Sequence, residues 1–392
     1  MSLINSKIED GVLTLIPSGR IDSTNAPDIQ AEIDEIASAN PHDAVVLDAE
    51  DLSYISSAGL RIVLKLGKTE KNFEVVNANT EVYDIFDMTG FSEILTIKKA
   101  YRKFSVDGCE IIGKGAKGTV YRYDPETIVK VYNNSDSLPA IQRERELARK
   151  AFVLGVPTAI SYDVVKVGDK FGSVFELLDT KSLSEYIADE PENFDKYVKC
   201  FADLLLQIHD TDVSPDDMPS GKERFQSRVE QVKGFVPDDM YLKLRDLVDA
   251  VPDRNKMLHC DYHTNNVLLQ NGEVILIDMD TLSYGHPIFE LANIHIAYVG
   301  FGIVNPKIVE NFIGLPYETT KKIWSKFLCY YLGTEDEERI NDVERKVSIL
   351  SYLRYIRHVQ RRGINTDEDK LVVDTCIKVI DELLSQVDSL DF

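Results

Sequence analysis

The sequence predicts two folded parts of different class in one chain: a small α/β domain, followed by a larger α+β domain whose C-terminal part is helical. Three observations support this fold class. Residues 1–98 alternate between strand and helix patterns. A glycine-rich pattern around residue 115 lies between two strand patterns, and residues 301–392 repeat apolar side chains at helical spacing. A length of 392 residues is enough for two or three domains.

The composition and charge of the chain argue against several classes of partner. The net charge is −22 and the isoelectric point is about 4.8, so we expect neither a nucleic acid nor a membrane as partner. The five cysteines are scattered, no apolar run approaches the ~20 residues of a membrane span, and the N-terminus lacks a signal pattern. These features predict a cytoplasmic protein with reduced thiols.

The first part of the chain alternates short apolar strands with amphipathic helices. The predicted elements are a strand at residues 11–19, a helix after Pro27, a strand at 44–47, a switch from strand to helix within 54–66, and a strand at 73–76. Such an alternation over about 100 residues is typical of a compact α/β domain.

Ser57 lies at the switch from strand to helix, beside Gly59. The first turn of a helix offers free N–H groups and the positive end of the helix dipole, so a phosphate added to Ser57 would be stabilised there. Alternatively, Ser56 or Ser57 serves only as the N-cap of the helix. On physical chemistry alone, the cap is the simpler interpretation.

Two segments of this part, SGRIDSTNAP and VVLDAEDLSYISSAGLRIVL, resemble the STAS domain of bacterial anti-sigma-factor antagonists. The resemblance covers residues 3–97. It implies that Ser57 is a phosphorylation switch whose state decides which protein partner binds, with the acidic Asp22 nearby. Many regulated members have Asp directly before that serine, whereas this chain has Ser56. We place the STAS-like regulatory domain at residues 1–98 and a polar linker at residues 99–108.

The glycines of the second part, Gly113, Gly115 and Gly118, form a GxGxxG pattern. A Walker A loop would end in Gly-Lys-Ser/Thr, and a Rossmann loop would run into a helix. Here the chain continues as a strand, and a second strand at residues 128–132 carries Lys130. The pattern therefore predicts a glycine-rich β-hairpin that covers phosphates, because glycine allows a close approach of the backbone.

Lys130 lies in an apolar strand, where an unpaired lysine would be costly, so we expect an acidic partner. The helix pattern at residues 140–154 offers Glu144 and Glu146, of which only one can face Lys130 because residues two apart lie on different faces. Farther along, the strand at residues 171–178 is a candidate hinge whose backbone at Glu176 to Leu178 would bond an adenine. A plain core strand is the alternative.

Residues 257–280, MLHCDYHTNNVLLQNGEVILIDMD, hold the strongest candidate for catalysis. Asp261 can accept the proton of a hydroxyl group, while Asn266 and Asp278 offer the amide and carboxylate oxygens that Mg²⁺ prefers. A zinc site built from the neighbouring His, Cys and Asp residues fails, because neighbours on an extended segment point apart. Taken alone, the residue types therefore allow phosphoryl transfer among other metal chemistries.

The glycine pattern, Lys130, the HxDxxxxN pattern at residues 259–266 and Asp278 together resemble the protein-kinase-like fold. The segments HCDYHTNN, LIDMD and GHPIFELA are most similar to its aminoglycoside phosphotransferase and choline kinase branch. The resemblance implies a bilobal domain with an N-lobe at residues 109–178 and a C-lobe at residues 179–392 that includes a helical acceptor-binding part.

Residue by residue, the resemblance implies that Asp261 is the catalytic base and that Asn266 and Asp278 are the Mg²⁺ ligands. It also implies that Lys130 holds the ATP phosphates and pairs with Glu146. The cofactors implied are ATP and Mg²⁺, with Gly113, Gly115, Gly118, Glu176 and Leu178 completing the nucleotide site.

The run between Asp278 and the GHP at residues 285–287 is too short for a peptide-docking segment. We therefore predict an ATP- and Mg²⁺-dependent phosphotransferase with a small-molecule hydroxyl acceptor, and a possible role for the STAS domain in binding a protein partner. Two alternatives are a regulatory serine kinase that phosphorylates Ser57 of its own or a partner's STAS domain, and a nucleotide-sensing pseudokinase. The last is the weakest, because every expected polar residue is present.

Overall fold

The computed structural model describes residues 4–115, 117–178 and 180–392. It contains two compact units, Met1–Asp107 with Val164–Phe171, and Gly108–Asp163 with Gly172–Phe392. The first unit is a mixed α/β structure, and the second combines antiparallel strands with a largely helical C-terminal part. The predicted fold class is confirmed.

The strands in chain order are β1 (Ile4–Glu9), β2 (Val12–Pro17), β3 (Gly19–Ile21), β4 (Ala44–Asp48), β5 (Leu52–Ile55), β6 (Glu74–Ala78), β7 (Thr96–Lys99), β8 (Arg102–Lys103), β9 (Glu110–Lys114), β10 (Gly118–Arg122), β11 (Thr127–Tyr132), β12 (Asp163–Val167), β13 (Lys170–Glu176), β14 (Lys181–Ser182), β15 (Met257–Leu258), β16 (Val267–Gln270), β17 (Glu273–Leu276) and β18 (Ser283–Tyr284).

The α-helices are α1 (Ala26–Ala39), α2 (Ser57–Thr69), α3 (Thr80–Met88), α4 (Phe91–Ile94), α5 (Leu138–Val153), α6 (Leu183–Asp189), α7 (Phe194–Asp210), α8 (Gly221–Gln231), α9 (Asp238–Asp249), α10 (Ile288–Tyr298), α11 (Pro306–Ile313), α12 (Tyr317–Leu332), α13 (Glu337–Arg362) and α14 (Asp367–Leu384). Short 3-10 helices span Pro191–Asn193, Thr264–Asn266, Met279–Thr281 and Gly300–Gly302.

The first unit is built on a five-stranded sheet in the order β1-β2-β4-β6-β7. Neighbouring strands from β2 to β7 run parallel, and β1 is antiparallel to β2. The side chains of Leu15, Val45 and Val75 on the three central strands are fully buried in one apolar core. Because side chains alternate between the faces of a strand, this pattern places apolar residues where the helices can cover them.

The predicted change from strand to helix at Ser56 and Ser57 is confirmed. The hydroxyl of Ser56 accepts a hydrogen bond from the backbone N–H of Ala58 at 3.2 Å, so Ser56 is the N-cap of α2. Ser57 is the first residue of the helix and is exposed. Gly59, two residues later in the same turn, is buried against Ile21 and Ile55.

The second unit begins with the antiparallel strands β13, β11, β10 and β9, which lie in that order. The glycine pattern lies at the turn between β9 and β10, as predicted, and Lys130 lies opposite Val120 on one side and Ser173 on the other. The predicted helix at residues 140–154 is α5.

Helices form most of the rest of this unit and bury a continuous apolar core. All eleven residues of α10 are buried, and α13 packs against it. The aromatic side chains of Trp324, Phe327, Tyr352 and Tyr355 are buried, so they belong to this core rather than to an open cation site. Among the described helices, none is both long enough and apolar enough to cross a bilayer.

We expect Gly59→Ala to destabilise the first unit. A Cβ at residue 59 would lie 2.6 Å from Cγ1 of Ile55 and 2.8 Å from Cγ2 of Ile21, both buried and β-branched. The overpacking costs about 1–3 kcal/mol, which outweighs the gain of about 1 kcal/mol in helix propensity.

Urea unfolding of the full chain measures this change in the free energy of unfolding. Ser57→Ala, at an exposed position of the same turn, is the control and should change it by about 0.5 kcal/mol or less. A Gly59→Ala variant at least as stable as the wild type would contradict the packing described here.

Candidate active site

A cavity of about 400 Å³ lies within the second unit, between strands β9–β13 and the loops around β16 and β17. It brings together the predicted residues Gly113, Lys130, Glu176, Leu178, Asn266 and Asp278. The predicted residues Gly115, Gly118, Glu146 and Asp261 are not part of its wall. Its wall combines apolar side chains, among them those of Ile128 and Leu268, with the charged groups of Lys130, Glu144 and Asp278.

The ammonium group of Lys130 lies between two carboxylates. Its Nζ is 3.0 Å from Oε1 of Glu144 and 3.1 Å from Oδ1 of Asp278. Burial lowers the pKa of Lys130, but the negative charges of Glu144 and Asp278 outweigh burial and raise it. Burial also raises the pKa of Asp278, yet the charges of Lys130 and Lys117 bring it below its usual value. Lysine and carboxylate are therefore both charged here.

The predicted pairing of Lys130 with Glu146 is wrong. Glu146 is exposed and bridges Lys150 at 2.9 Å on the solvent side of α5. Glu144 is buried, and its second carboxylate oxygen accepts a 2.8 Å hydrogen bond from the hydroxyl of Tyr132. The reason is helical periodicity, because Glu144 shares a face with the buried Ile141 and Ala148, three and four residues away.

Gly118 has a structural role that does not depend on a ligand. A Cβ at this position would lie 2.4 Å from the carbonyl oxygen of Val131 on the neighbouring strand β11. Only a residue without a side chain therefore allows β10 and β11 to pair here. Gly113 and Gly115 face open space or ordinary contacts, so nothing in the protein itself requires glycine at either position.

The predicted hinge runs along the edge of the cavity. The backbone N–H of Leu177 donates to the carbonyl oxygen of Glu126 at 2.7 Å. Because backbone groups alternate in direction along an extended chain, the carbonyl of Glu176 and the N–H of Leu178 point the other way. Both residues line the cavity. Asp179, with which the predicted C-lobe begins, lies outside the described residues.

The loop that carries Asp261 is held by a buried carboxylate. Glu290 on α10 accepts hydrogen bonds from the backbone N–H groups of His259 and Cys260, the latter at 2.7 Å. Burial raises the pKa of Glu290, but the neighbouring His209 outweighs burial and lowers it, so the carboxylate is charged. Cys260 has a positive φ of 67°, a strained conformation that these bonds fix. His259 thus braces the loop through its backbone.

Asn266 connects Asp261 to the cavity. Its side-chain amide donates to the backbone carbonyl of Asp261 at 3.0 Å, which leaves the amide oxygen free to face a ligand. The carboxylate of Asp261 is about one-third exposed, and its Oδ2 lies 4.0 Å from Nε2 of His263. Burial lowers the pKa of His263 although the charge of Asp261 opposes this, so a neutral imidazole flanks a reachable carboxylate.

Three carboxylates come together, and two of them, Glu144 and Asp278, line the cavity. Glu144, Asp278 and Asp280 each place an oxygen within 4.8 Å of the others. Oδ1 of Asp280 is buried and has no hydrogen-bond partner among the described residues. Its Oδ2 binds the ammonium group of Lys117, at the turn of the glycine hairpin. A divalent cation fits this set of oxygen donors.

Lys117 is the functional candidate that sequence reasoning missed. It lies in the glycine pattern itself, and its position between Gly115 and Gly118 was the available signal. Burial lowers the pKa of Lys117, but the hydrogen bond to Asp280 and its charge raise it overall. The ammonium group therefore closes the hairpin over the carboxylates.

Comparisons with known proteins relate each part of the chain to a family. The family model described as "Phosphotransferase enzyme family" matches residues 108–312, which is more than half of the chain, and a STAS domain model matches residues 4–103. BtrV of Bordetella bronchiseptica, provisionally named an anti-sigma factor antagonist, is 34% identical over 101 residues, which cover 25% of this chain and 85% of that protein.

Solved structures resemble each part separately. The ADP-bound aminoglycoside phosphotransferase APH(2'')-Ib is 14% identical with a TM-score of 0.48, covering 77% of this chain and 98% of the other. An anti-sigma factor antagonist from Mycobacterium paratuberculosis is 23% identical with a TM-score of 0.23, covering 24% and 83%. From the family model, the chain belongs to the phosphotransferase enzyme family, and it carries an N-terminal STAS domain.

Proposed function

We propose that the protein transfers the terminal phosphoryl group of ATP to a hydroxyl group of a small molecule, with Mg²⁺ as cofactor and the STAS domain as a regulatory module. The observation that carries this proposal is the position of Lys130 between Glu144 and Asp278, in a cavity whose wall has both apolar and charged side chains. This arrangement suits a nucleotide with an apolar base and charged phosphates.

ATP would enter with its adenine between the apolar side chains and with its edge on the hinge. The carbonyl of Glu176 would accept from the adenine amino group, and the N–H of Leu178 would donate to a ring nitrogen. Lys130 would hold the phosphates, beneath the hairpin of Gly113, Gly115 and Gly118. The direction of the hinge groups supports this pose.

Asn266 and Asp278 would hold Mg²⁺, with Asp280 beside them. The orphaned oxygen of Asp280 and the free amide oxygen of Asn266 are donors of the type that the ion prefers. When bound, the ion would offset the negative charge of the phosphates.

Asp261 would orient the acceptor hydroxyl and take its proton on a carboxylate oxygen. The acceptor oxygen forms a bond to the terminal phosphorus while the bond from that phosphorus to the bridging oxygen breaks, which releases ADP. The two backbone bonds from the loop to Glu290 keep this carboxylate in place.

The segment after Asp278 supports a small acceptor. A 3-10 helix at Met279–Thr281, the two residues of β18 and Pro287 follow directly, and α10 then begins at Ile288. No stretch of chain remains that would form a platform for a peptide substrate.

We further propose the domain limits 1–98, 99–108, 109–178 and 179–392, and a cytoplasmic location. The division of the chain after Asp107 supports the start of the N-lobe near residue 109, although Val164–Phe171, within the proposed N-lobe, groups with the first unit. All five cysteines are free thiols, which suits a reducing compartment.

A second candidate function concerns Ser57. Its exposure at the first residue of α2 makes the hydroxyl accessible, and the helix N-terminus would stabilise an added phosphate. A STAS domain modified in this way would change its protein partner. The kinase acting on Ser57 would be this chain or another.

We expect Asp261→Asn to abolish phosphoryl transfer and to leave nucleotide binding intact. An amide cannot accept the hydroxyl proton, and general base catalysis contributes about 10²–10⁴-fold. ADP formation with a panel of metabolites that contain hydroxyl groups measures transfer, and titration with a fluorescent ATP analogue measures binding. Transfer at the wild-type rate would show that another group is the base.

The replacements Glu144→Gln and Glu146→Gln test the corrected ion pair. Glu144→Gln should weaken binding of the ATP analogue about 10-fold, because it removes the charge that positions Lys130. Glu146→Gln removes only an exposed pair with Lys150 and should change binding less than about twofold. A larger loss of binding in Glu146→Gln than in Glu144→Gln would instead support the pairing of Lys130 with Glu146 that the sequence predicted.

Lys117→Met tests whether the hairpin lysine moves from Asp280 to the terminal phosphate of ATP. We expect binding of a non-hydrolysable ATP analogue to weaken about 10-fold, since one charge-assisted hydrogen bond is lost. ADP binding should change less than about threefold. Lys114→Met, at an exposed lysine on the same hairpin, is the control. Equal losses for ATP analogue and ADP would contradict a contact specific to the terminal phosphate.

A further inference from the structure

Four arginines converge within the second unit. Arg224 and Arg228 lie one turn apart on α8, and Arg354 and Arg357 lie one turn apart on α13. The two helices pack against each other, and all four side chains are half-buried. These four residues form the arginine cluster.

Each arginine of the cluster donates a hydrogen bond to a neutral oxygen. Arg228 and Arg354 both donate to Oδ1 of Asn293, at 3.4 and 2.8 Å. Arg224 donates to the carbonyl oxygen of Thr281 at 2.9 Å, and Arg357 donates to the side chain of Gln231 at 2.6 Å. In the part of the chain that the structure describes, no carboxylate lies within 4.0 Å of any of the four.

This lack of acidic partners is unusual for the chain as a whole, which has 66 acidic and 44 basic residues. Acidic groups are in surplus, yet these half-buried arginines have no carboxylate in contact, so only charges farther away, such as that of Asp261, partly offset their mutual repulsion. Burial and then the charge of Arg354 lower the pKa of Arg228 to about 9. Arginine still keeps its proton at neutral pH, so the cluster holds its positive charge at a cost in free energy.

The arginine cluster adjoins the loop that carries the proposed base. Thr281, to which Arg224 donates, donates in turn from its hydroxyl to the carbonyl oxygen of His259 at 2.6 Å. Asn293 lies on α10, the helix whose Glu290 holds the backbone of Cys260. The charge of Asp261 is also the strongest influence that opposes the effect of burial on the pKa of Arg354.

We propose that the arginine cluster binds an anionic group, phosphate or carboxylate, on the acceptor molecule. This inference rests on the proposed phosphotransferase function and specifies its substrate class. Guanidinium groups match the oxygens of both anions through paired hydrogen bonds. A bound anion would replace the missing carboxylates and fix the acceptor so that its hydroxyl group faces Asp261.

The same charges disfavour a cationic acceptor. An amine placed beside four arginines without acidic partners would meet the repulsion that the cluster already carries. The acceptor would thus be a hydroxy acid or a phosphate ester with a free hydroxyl group.

Four matched probes test this charge preference: glycerol, glycerate, glycerol 3-phosphate and 3-amino-1,2-propanediol. Calorimetric titration uses the full chain saturated with Mg²⁺ and a non-hydrolysable ATP analogue. Glycerate or glycerol 3-phosphate should bind about 10-fold or more tightly than glycerol, and the amine should bind weakest. Glycerate and glycerol 3-phosphate distinguish a carboxylate from a phosphate acceptor.

Arg228→Gln and Arg357→Gln should each reduce the preference for the anion to about threefold or less. Arg245→Gln, at a half-buried arginine of α9 that has an acidic partner, Asp246, should leave it unchanged. Binding of the ATP analogue and the thermal unfolding midpoint are measured on every variant, so that a loss of fold is not mistaken for a loss of the site.

Three results would overturn the proposal: no measurable binding of either anionic probe, an unchanged preference in both cluster variants, or inorganic phosphate binding as tightly as glycerol 3-phosphate. The last would indicate a site for a free anion rather than for the acceptor. Failure of the proposed phosphotransferase function gives a different result from failure of the arginine site. A wild-type chain that does not bind the ATP analogue refutes the phosphotransferase function, regardless of how the four probes bind.

Discussion

The active site depends on one interaction, the ammonium group of Lys130 between the carboxylates of Glu144 and Asp278. A buried lysine without such partners would lose its proton or destabilise the fold. The interaction connects strand β11, helix α5 and the loop after β17, which are far apart in the sequence. The ion pairs that hold these elements together are therefore the same ones that would position the phosphates of a nucleotide.

A second buried carboxylate, that of Glu290, holds the loop that carries Asp261. Glu290 binds the two backbone N–H groups that precede Asp261, and it allows Cys260 to keep a positive φ. Strain at this position is stabilised by hydrogen bonds to a charged group, which are stronger than those between neutral groups. Glu144 thus positions Lys130, and Glu290 positions the loop that carries Asp261.

The sequence predicted much of this arrangement because its signals were local. The glycine hairpin, the strand with Lys130, and the spacing of Asp261, Asn266 and Asp278 all lie within short segments. The partner of Lys130 was predicted wrongly, although the buried face of α5, shown by Ile141 and Ala148, would have indicated Glu144. The contact of Lys117 with Asp280 and the arginine cluster could not be predicted, since each depends on segments more than 100 residues apart.

The central claim is that the terminal phosphoryl group of ATP passes to a small molecule. The direct measurement is to incubate the full chain with γ-labelled ATP and a deproteinised metabolite extract, and then to separate small molecules from protein. We predict label on a metabolite, with no difference between the wild type and Ser57→Ala. Label on the protein that disappears in Ser57→Ala, without label on any metabolite, would contradict the claim and identify the STAS domain as the substrate.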